Sequence, residues 1–201
     1  DIGREQSGTL NLGGAGDIDI TGNIANNDFE LSPFTARVFN GVQQAIDTAA
    51  IINGDIDGTT VPTRTATLNG PLTFANAAAF NALFDTPSPI PLADNFTTVF
   101  ETTLTVVTPG VYTFAVTNND DGAAAWLKPA AQAAFVAGDK LQGIVGNNNT
   151  AVVTRTLTAG TYTLVYAQRE NAGGEAVTGR IQGPGYPGIT PGTALNIINP
   201  A

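Results

Sequence analysis

Two segments of this sequence repeat one pattern, in which a glycine precedes an alternating strand with a tyrosine near its start. The first pattern contains Gly110 and Tyr112, and the second contains Gly160 and Tyr162. Apolar residues follow each tyrosine at every second position, with a threonine next to the tyrosine. Such alternation buries one side of a strand and exposes the other. Segments 104–127 and 157–174 are therefore predicted to form two β-hairpins of similar construction.

The composition favours a single domain rich in β-structure. With 201 residues, the chain is long enough for one domain with a hydrophobic core. Apolar residues account for 42% and charged residues for 12%, and much of the remainder is Thr, Asn, Gly and Ala. Because β-branched side chains favour extended backbone, this composition predicts an all-β fold with only a few short helices.

Charge and missing residue types exclude several functional classes. The 17 acidic and 8 basic residues give a net charge of −9, which disfavours nucleic acid and anionic membranes as partners. Divalent cations and neutral glycans are compatible with this charge. The sequence has no Cys and no His, so disulfides, thiol chemistry and the usual general base are excluded.

The sequence also indicates where the protein acts. No apolar run approaches the roughly 20 residues that a membrane-spanning helix needs. The chain does not begin with Met, which suggests a processed chain. We therefore expect an extracellular or cell-surface protein that folds without disulfides.

Local patterns predict the remaining elements. Helical spacing over 42–52 predicts a helix, and Asn76 is expected to cap a short helix that buries Phe80 and Phe84. Pro129 is expected to start an Ala-rich helix, and Trp126 is expected in the core. Strands are predicted at 34–39, 61–68 and 176–182.

Four oxygen-bearing side chains follow the strand of the first pattern: Asn118, Asn119, Asp120 and Asp121. Two neighbouring carboxylates repel each other unless a cation or hydrogen-bond donors lie between them. The run is therefore a candidate cation site. The alternative is an ordinary hairpin turn, for which Asp-Gly is a strong signal.

With these segments in view, the chain resembles the PA-fourteen (PA14) domain, the protective-antigen-type domain of anthrax toxin, yeast flocculins and bacterial adhesins. The matching segments are PTRTATLNGPLTF (62–74), the strand that ends in DDG, and LTAGTYTLVYAQRENAGGEA (157–176). The resemblance covers 34–183 and implies an antiparallel β-sandwich. Residues 1–33 would then form an N-terminal strand extension, and 184–201 a C-terminal extension packed on the domain or on a neighbour.

The resemblance also implies a site. In sugar-binding members of the family, the paired Asp residues sit in a cis peptide and hold a calcium ion, which in turn holds vicinal hydroxyls of a glycan. Calcium takes six to eight oxygen ligands, and an acidic, Asn-rich loop supplies them. By resemblance, the metal ligands here would be Asp120, Asp121 and Asn171, and the ligand-binding residues would be Asn119, Gln168 and Glu175.

Two functional hypotheses follow. The first is a self-assembling subunit of an extracellular filament or surface layer, joined by terminal strands that add to a neighbouring sheet. Its assembly residues would be Leu10, Leu12, Ile18 and Ile20, although these ends could equally pair within their own subunit. The second is a calcium-dependent glycan-binding module of an adhesin. Neither is enzymatic, since adjacent aspartates cannot flank a scissile bond as glycosidase carboxylates do.

Overall fold

A computed structural model describes residues 28–41, 46, 48–53, 61–84, 94–145, 149–184 and 196–197. The four residues predicted for assembly, Leu10, Leu12, Ile18 and Ile20, lie outside these ranges. Most of the helix predicted over 42–52 also lies outside them, and its described end is helix α1, Ala49–Ile52. Self-assembly through the N-terminal segment therefore stays a prediction.

The described chain folds into two antiparallel sheets that face each other. Sheet 1 contains β1 (Phe29–Leu31), β2 (Phe34–Asn40), β3 (Arg64–Leu68), β5 (Phe96–Val106), β7 (Gly122–Pro129), β8 (Lys140–Val145) and β10 (Gly160–Glu170). Sheet 2 contains β4 (Thr73–Phe74), β6 (Gly110–Asn119), β9 (Asn149–Leu157), β11 (Val177–Gln182) and β12 (Asn196–Ile197). The predicted all-β sandwich is confirmed.

The order of strands places the long central strands next to each other. Sheet 1 runs β3-β2-β5-β10-β7-β8, with β1 also paired to β5. Sheet 2 runs β12-β11-β6-β9, with β4 also paired to β11. The C-terminal strand β12 thus pairs with β11 of its own chain, where Arg180 lies opposite Ile197.

The main core lies between the inner faces of the two sheets. Strand β6 contributes Tyr112, Phe114 and Val116, all fully buried as their alternation predicts. Helix α2 (Ala77–Phe84) closes one side of this core. Its predicted cap is present, because Asn76 Oδ1 accepts a hydrogen bond of 3.1 Å from the backbone N–H of Ala79. Its Phe80 ring stacks on Phe74 at 4.5 Å between centroids.

The two predicted hairpins are wrong, because each segment crosses between the sheets. The chain passes from β5 in sheet 1 to β6 in sheet 2, and later from β9 in sheet 2 to β10 in sheet 1. At each crossing a tyrosine hydroxyl donates back to the carbonyl four residues earlier, from Tyr112 to Thr108 (2.8 Å) and from Tyr162 to Thr158 (3.1 Å). Alternation fixes which face of a strand is buried but not which strand pairs with it.

The predicted Ala-rich helix after Pro129 is also wrong. Residues 130–136 form turns and loop, followed by a single 3₁₀ turn, Ala137–Asp139. The Asn53 side chain bonds both the N–H and the carbonyl of Phe135, at 2.5 and 2.8 Å. These bonds use the backbone groups that a helix would need, and the Phe135 ring packs edge-on against Trp126.

Trp126 is buried, as predicted, but not between the sheets. It lies in a second apolar cluster on the outer face of sheet 1, with Val99, Val165 and Phe135. Its indole N–H donates to the Ile46 carbonyl at 3.0 Å. Within the residues described, no helix is both long and apolar enough to cross a membrane.

Candidate functional site

Three segments meet at the end of the sandwich opposite the two tyrosine crossings. They are the β6–β7 turn with Asp120 and Asp121, the loop between β10 and β11 (171–176), and Asp94–Asn95 just before β5. They meet because β5 and β10 are antiparallel and paired from Val106–Gly160 at one end to Phe96–Glu170 at the other. We call this region the acidic end.

Asp121 organises the loop that follows β10. Its backbone adopts φ +55°, in the left-handed region. Its Oδ2 accepts hydrogen bonds from the backbone N–H groups of Asn171 (2.5 Å) and Ala172 (3.1 Å). These two backbone hydrogen bonds to one carboxylate oxygen fix the loop against the turn. Asp121 is therefore both a turn residue and a loop anchor.

Asp120 is held from both sides. Its backbone N–H donates to the Ala176 carbonyl at 3.0 Å, and its Oδ1 accepts from the N–H of Asp121 at 3.0 Å. A Cβ added at Gly174 would lie 2.8 Å from Asp120 Oδ2, so the glycine leaves room for the carboxylate. Among the described residues no peptide bond is cis, so the implied cis peptide is wrong here; the left-handed Asp121 makes the turn instead.

The loop is tied to the strand before it through backbone atoms. Asn171 accepts a 3.2 Å hydrogen bond at its carbonyl from the N–H of Asn95, and its side chain is exposed beside Asp121. Asp94 Oδ1 accepts from the N–H of Gly173 at 3.1 Å. Sequence reasoning missed Asp94, whose signal was its position at the end of the Pro-rich connector.

Of the three predicted ligand-binding residues, two are buried and bonded to other parts of the chain, and the third has a side chain that the structure does not describe. Gln168 is fully buried, and Glu175 is buried with its Oε2 accepting from the N–H of Ala77 at the start of α2 (2.9 Å). Glu175 thus caps a helix, and the Gln168 side chain is hydrogen-bonded to Thr98 and Glu170. Asn119 lies on β6 opposite Asn149, and its side chain is outside the described part.

Glu170 lies beneath Asp121 and was not chosen from the sequence. It is the last residue of β10 and shares the inward face with Leu164, Tyr166 and Gln168. The sequence signal that could have identified it is its position, an even number of residues from these buried side chains on the same strand. Burial, contact with the Asp121 carboxyl, and the charges of Asp121, Asp120 and Glu175 raise the pKa of Glu170 to about 8.

The chemistry of the acidic end suits a hard cation. Its side-chain donors are oxygens, and the charges that act on Glu170 are all negative. The Glu170 Oε1 atom is buried without a hydrogen-bond partner. Within the described ranges no three acidic side chains lie together as a ready-made set of metal ligands. The implied set of Asp120, Asp121 and Asn171 has only two acids, and it fits calcium by donor type.

Comparison with known proteins identifies the fold. No protein-family model and no curated protein matches the sequence. The crystal structure of the PA14 domain of the antifreeze protein MpAFP matches with a TM-score of 0.55 and 12% identity, over 92% of this chain and 93% of that chain. The fold is that of a PA14 domain.

Two adhesin domains from Candida glabrata share this PA14 fold. The Epa9 A domain, in complex with Galβ1-4GlcNAc, matches with a TM-score of 0.57 and 12% identity, over 83% of this chain and 88% of that chain. The Epa6 A domain, in complex with Galβ1-3GlcNAc, matches with a TM-score of 0.52 and 14% identity, over 80% and 88%. At these identities the similarity establishes the fold alone.

Proposed function

We propose that this chain is a non-enzymatic, calcium-dependent glycan-binding domain of an extracellular adhesin. One observation carries the proposal: the paired aspartates and the β10–β11 loop are bound to each other at one end of a PA14 fold, through Asp121 and the N–H groups of Asn171 and Ala172. The glycan complexes of the two Epa domains support the substrate class.

The proposed chemistry needs only oxygen donors. Asp120, Asp121 and Asn171 would hold the cation, and a bound calcium would supply open coordination positions for vicinal sugar hydroxyls. The chain's own residues keep these donors in place: Asp121 fixes the loop, and Gly174 leaves room for the Asp120 carboxylate. A neutral glycan suits a chain of net charge −9.

This function is favoured over the filament hypothesis for two reasons. Two proteins of similar fold are adhesin domains in complex with glycans, and the C-terminal strand β12 pairs within its own sheet. A catalytic role is disfavoured by the sequence, since it lacks His and Cys and its paired aspartates are adjacent.

The test is a glycan-binding assay with and without free calcium. The domain is titrated with β-lactose, Galβ1-4GlcNAc and Galβ1-3GlcNAc in calcium buffer and in excess EGTA. We expect binding of at least one β-galactoside in calcium and its loss in EGTA, and we expect Asp121→Asn to lose it in calcium. Equal binding in both buffers would refute calcium dependence, and no binding to any member of a broad glycan panel would refute the function.

A matched control is available on β5. Glu101→Gln removes one charge, as Asp121→Asn does, at a partly exposed site that is paired with Arg37 at 3.3 Å. Its cross-strand neighbour is Val165, which lies in the outer apolar cluster. Because the site is far from the acidic end, Glu101→Gln should bind glycan like the wild type. A similar loss in both variants would show that net charge, not the site, is responsible.

A further inference from the structure

One side chain at the acidic end is not explained by the PA14 fold. Glu170 has 0% exposure although it is the last residue of its strand. A glutamate is almost never fully buried unless it is paired, because burial of an unpaired charge is costly. Its surroundings should therefore contain a compensating partner.

The described partners satisfy only one of its oxygens. Glu170 Oε2 accepts a 3.3 Å hydrogen bond from the side-chain amide of Gln168, whose own carbonyl accepts one from Thr98 at 3.2 Å. Glu170 Oε1 is buried and has no donor. The network therefore holds the Glu170 carboxyl in one orientation and leaves one oxygen unsatisfied.

The carboxyl group that Glu170 contacts is that of Asp121. Asp121 Oδ2 already accepts two backbone N–H groups, so it needs no further donor from Glu170. Two carboxylates in contact require either a shared proton or a cation between them.

We propose that Glu170 is an internal ligand of the cation at the acidic end, binding it through Oε1 together with the carboxylate of Asp121. The inference rests on the proposed calcium site and adds to it a ligand from inside the sandwich. A cation there satisfies the orphaned oxygen and removes the repulsion between the two carboxylates. Gln168 then acts as a positioning residue, because its amide orients the opposite oxygen of Glu170.

The test measures cation affinity directly, without glycan. Calcium binding is followed by titration calorimetry, and terbium binding by its luminescence, in the wild type, Glu170→Gln, Glu170→Asp and the Glu101→Gln control. We expect at least a tenfold loss of affinity in Glu170→Gln and no change in Glu101→Gln. Glu170→Asp keeps the charge but withdraws the carboxylate by one methylene, so it should also lose affinity.

The outcomes separate the two claims. If Asp121→Asn loses calcium while both Glu170 variants bind like the wild type, the site stands and Glu170 is not a ligand. Loss in Glu170→Gln with full affinity in Glu170→Asp would also overturn ligation, since only charge would matter. If the wild type binds neither ion, both the site and this ligand are refuted. Circular dichroism and thermal melting in EGTA check that each variant is folded.

Discussion

The two ends of the sandwich are built from the same strands but differ in the groups that they bury. At the tyrosine end, the β5–β6 and β9–β10 crossings are closed by Tyr112 and Tyr162, whose hydroxyls bond to carbonyls. At the acidic end, the buried carboxyl of Glu170 contacts that of Asp121, and one Glu170 oxygen has no hydrogen-bond partner. The hydrogen bonds at the tyrosine end stabilise the fold, whereas the buried carboxyl at the acidic end lowers the free energy of unfolding.

This difference separates structural from functional sites. A carboxyl buried without a cationic partner is costly, and such a group needs an explanation. The acidic end also contains the two described non-glycine residues with positive φ, Asn95 and Asp121. Backbone strain and a buried carboxyl in contact with an aspartate are typical of a binding site. Variants at each end test this division of roles.

The largest effect is expected from Asp121→Asn on calcium affinity. The substitution removes one carboxylate oxygen from the site and weakens the anchor of Asn171 and Ala172, so affinity should fall on the order of 100-fold. Tyr162→Phe, at the opposite end, should leave calcium affinity unchanged. Calorimetric titration of both variants measures the contrast, and equal losses would show that the ends are not separate sites.

The next effect is a pH dependence of stability in calcium-free protein. The pKa of Glu170 is raised from 4.5 to about 8, so the folded state holds this proton more tightly than the unfolded state. Its contribution is fully present below pH 4.5 and is lost as pH rises through 8, by about 1–3 kcal/mol. Urea unfolding in EGTA from pH 5 to 9 measures it.

Glu170→Gln provides the control for that measurement. The variant cannot ionise at this position, so the loss of stability between pH 5 and 9 should be smaller by the same amount. An unchanged pH profile would place the titrating group elsewhere and would weaken the contrast between the ends.

A smaller effect is expected at the tyrosine end, from Tyr112→Phe. The fully buried hydroxyl of Tyr112 lies 2.6 Å from the Asp28 carbonyl and 2.8 Å from that of Thr108. Its removal should lower the free energy of unfolding by about 1–2 kcal/mol. Calcium affinity should not change, and a decrease in it would contradict the division of roles.

The smallest effect is expected from Tyr162→Phe. This hydroxyl is exposed, and both of its hydrogen bonds, to the Thr158 carbonyl and hydroxyl, are 3.1 Å long. Water can replace them, so the loss should be about 0.5 kcal/mol or less. A loss as large as that of Tyr112→Phe would show that exposure does not distinguish the two crossings.

The sequence predicted the faces of strands better than their partners. Alternation correctly buried Phe114 and Val116, and the cap at Asn76 was read from its position before an apolar face. The crossings were mistaken for hairpins because period two carries no information about which sheet a strand joins. The loop after Pro129 was mistaken for a helix because its composition does not reveal the hydrogen bonds between the Asn53 side chain and the Phe135 backbone.

The site was predicted in part. Asp120 and Asp121 were recognised as a pair, and the structure joins Asp121 to the Asn171 backbone. Their role as metal ligands, with Asn171, stays a prediction. Glu170 was overlooked because a glutamate at a strand end is expected to be exposed, and only tertiary packing buries it. Asp94 was overlooked because its contact with Gly173 joins residues that are far apart in sequence.

The most direct test of a cation site at the acidic end is a crystal structure of the domain grown in calcium. We expect an anomalous peak at the acidic end, with the Asp121 carboxylate and Glu170 Oε1 at the 2.3–2.6 Å typical of calcium–oxygen bonds. The absence of a peak there at saturating calcium would contradict the central claim that this end of the sandwich is a cation site.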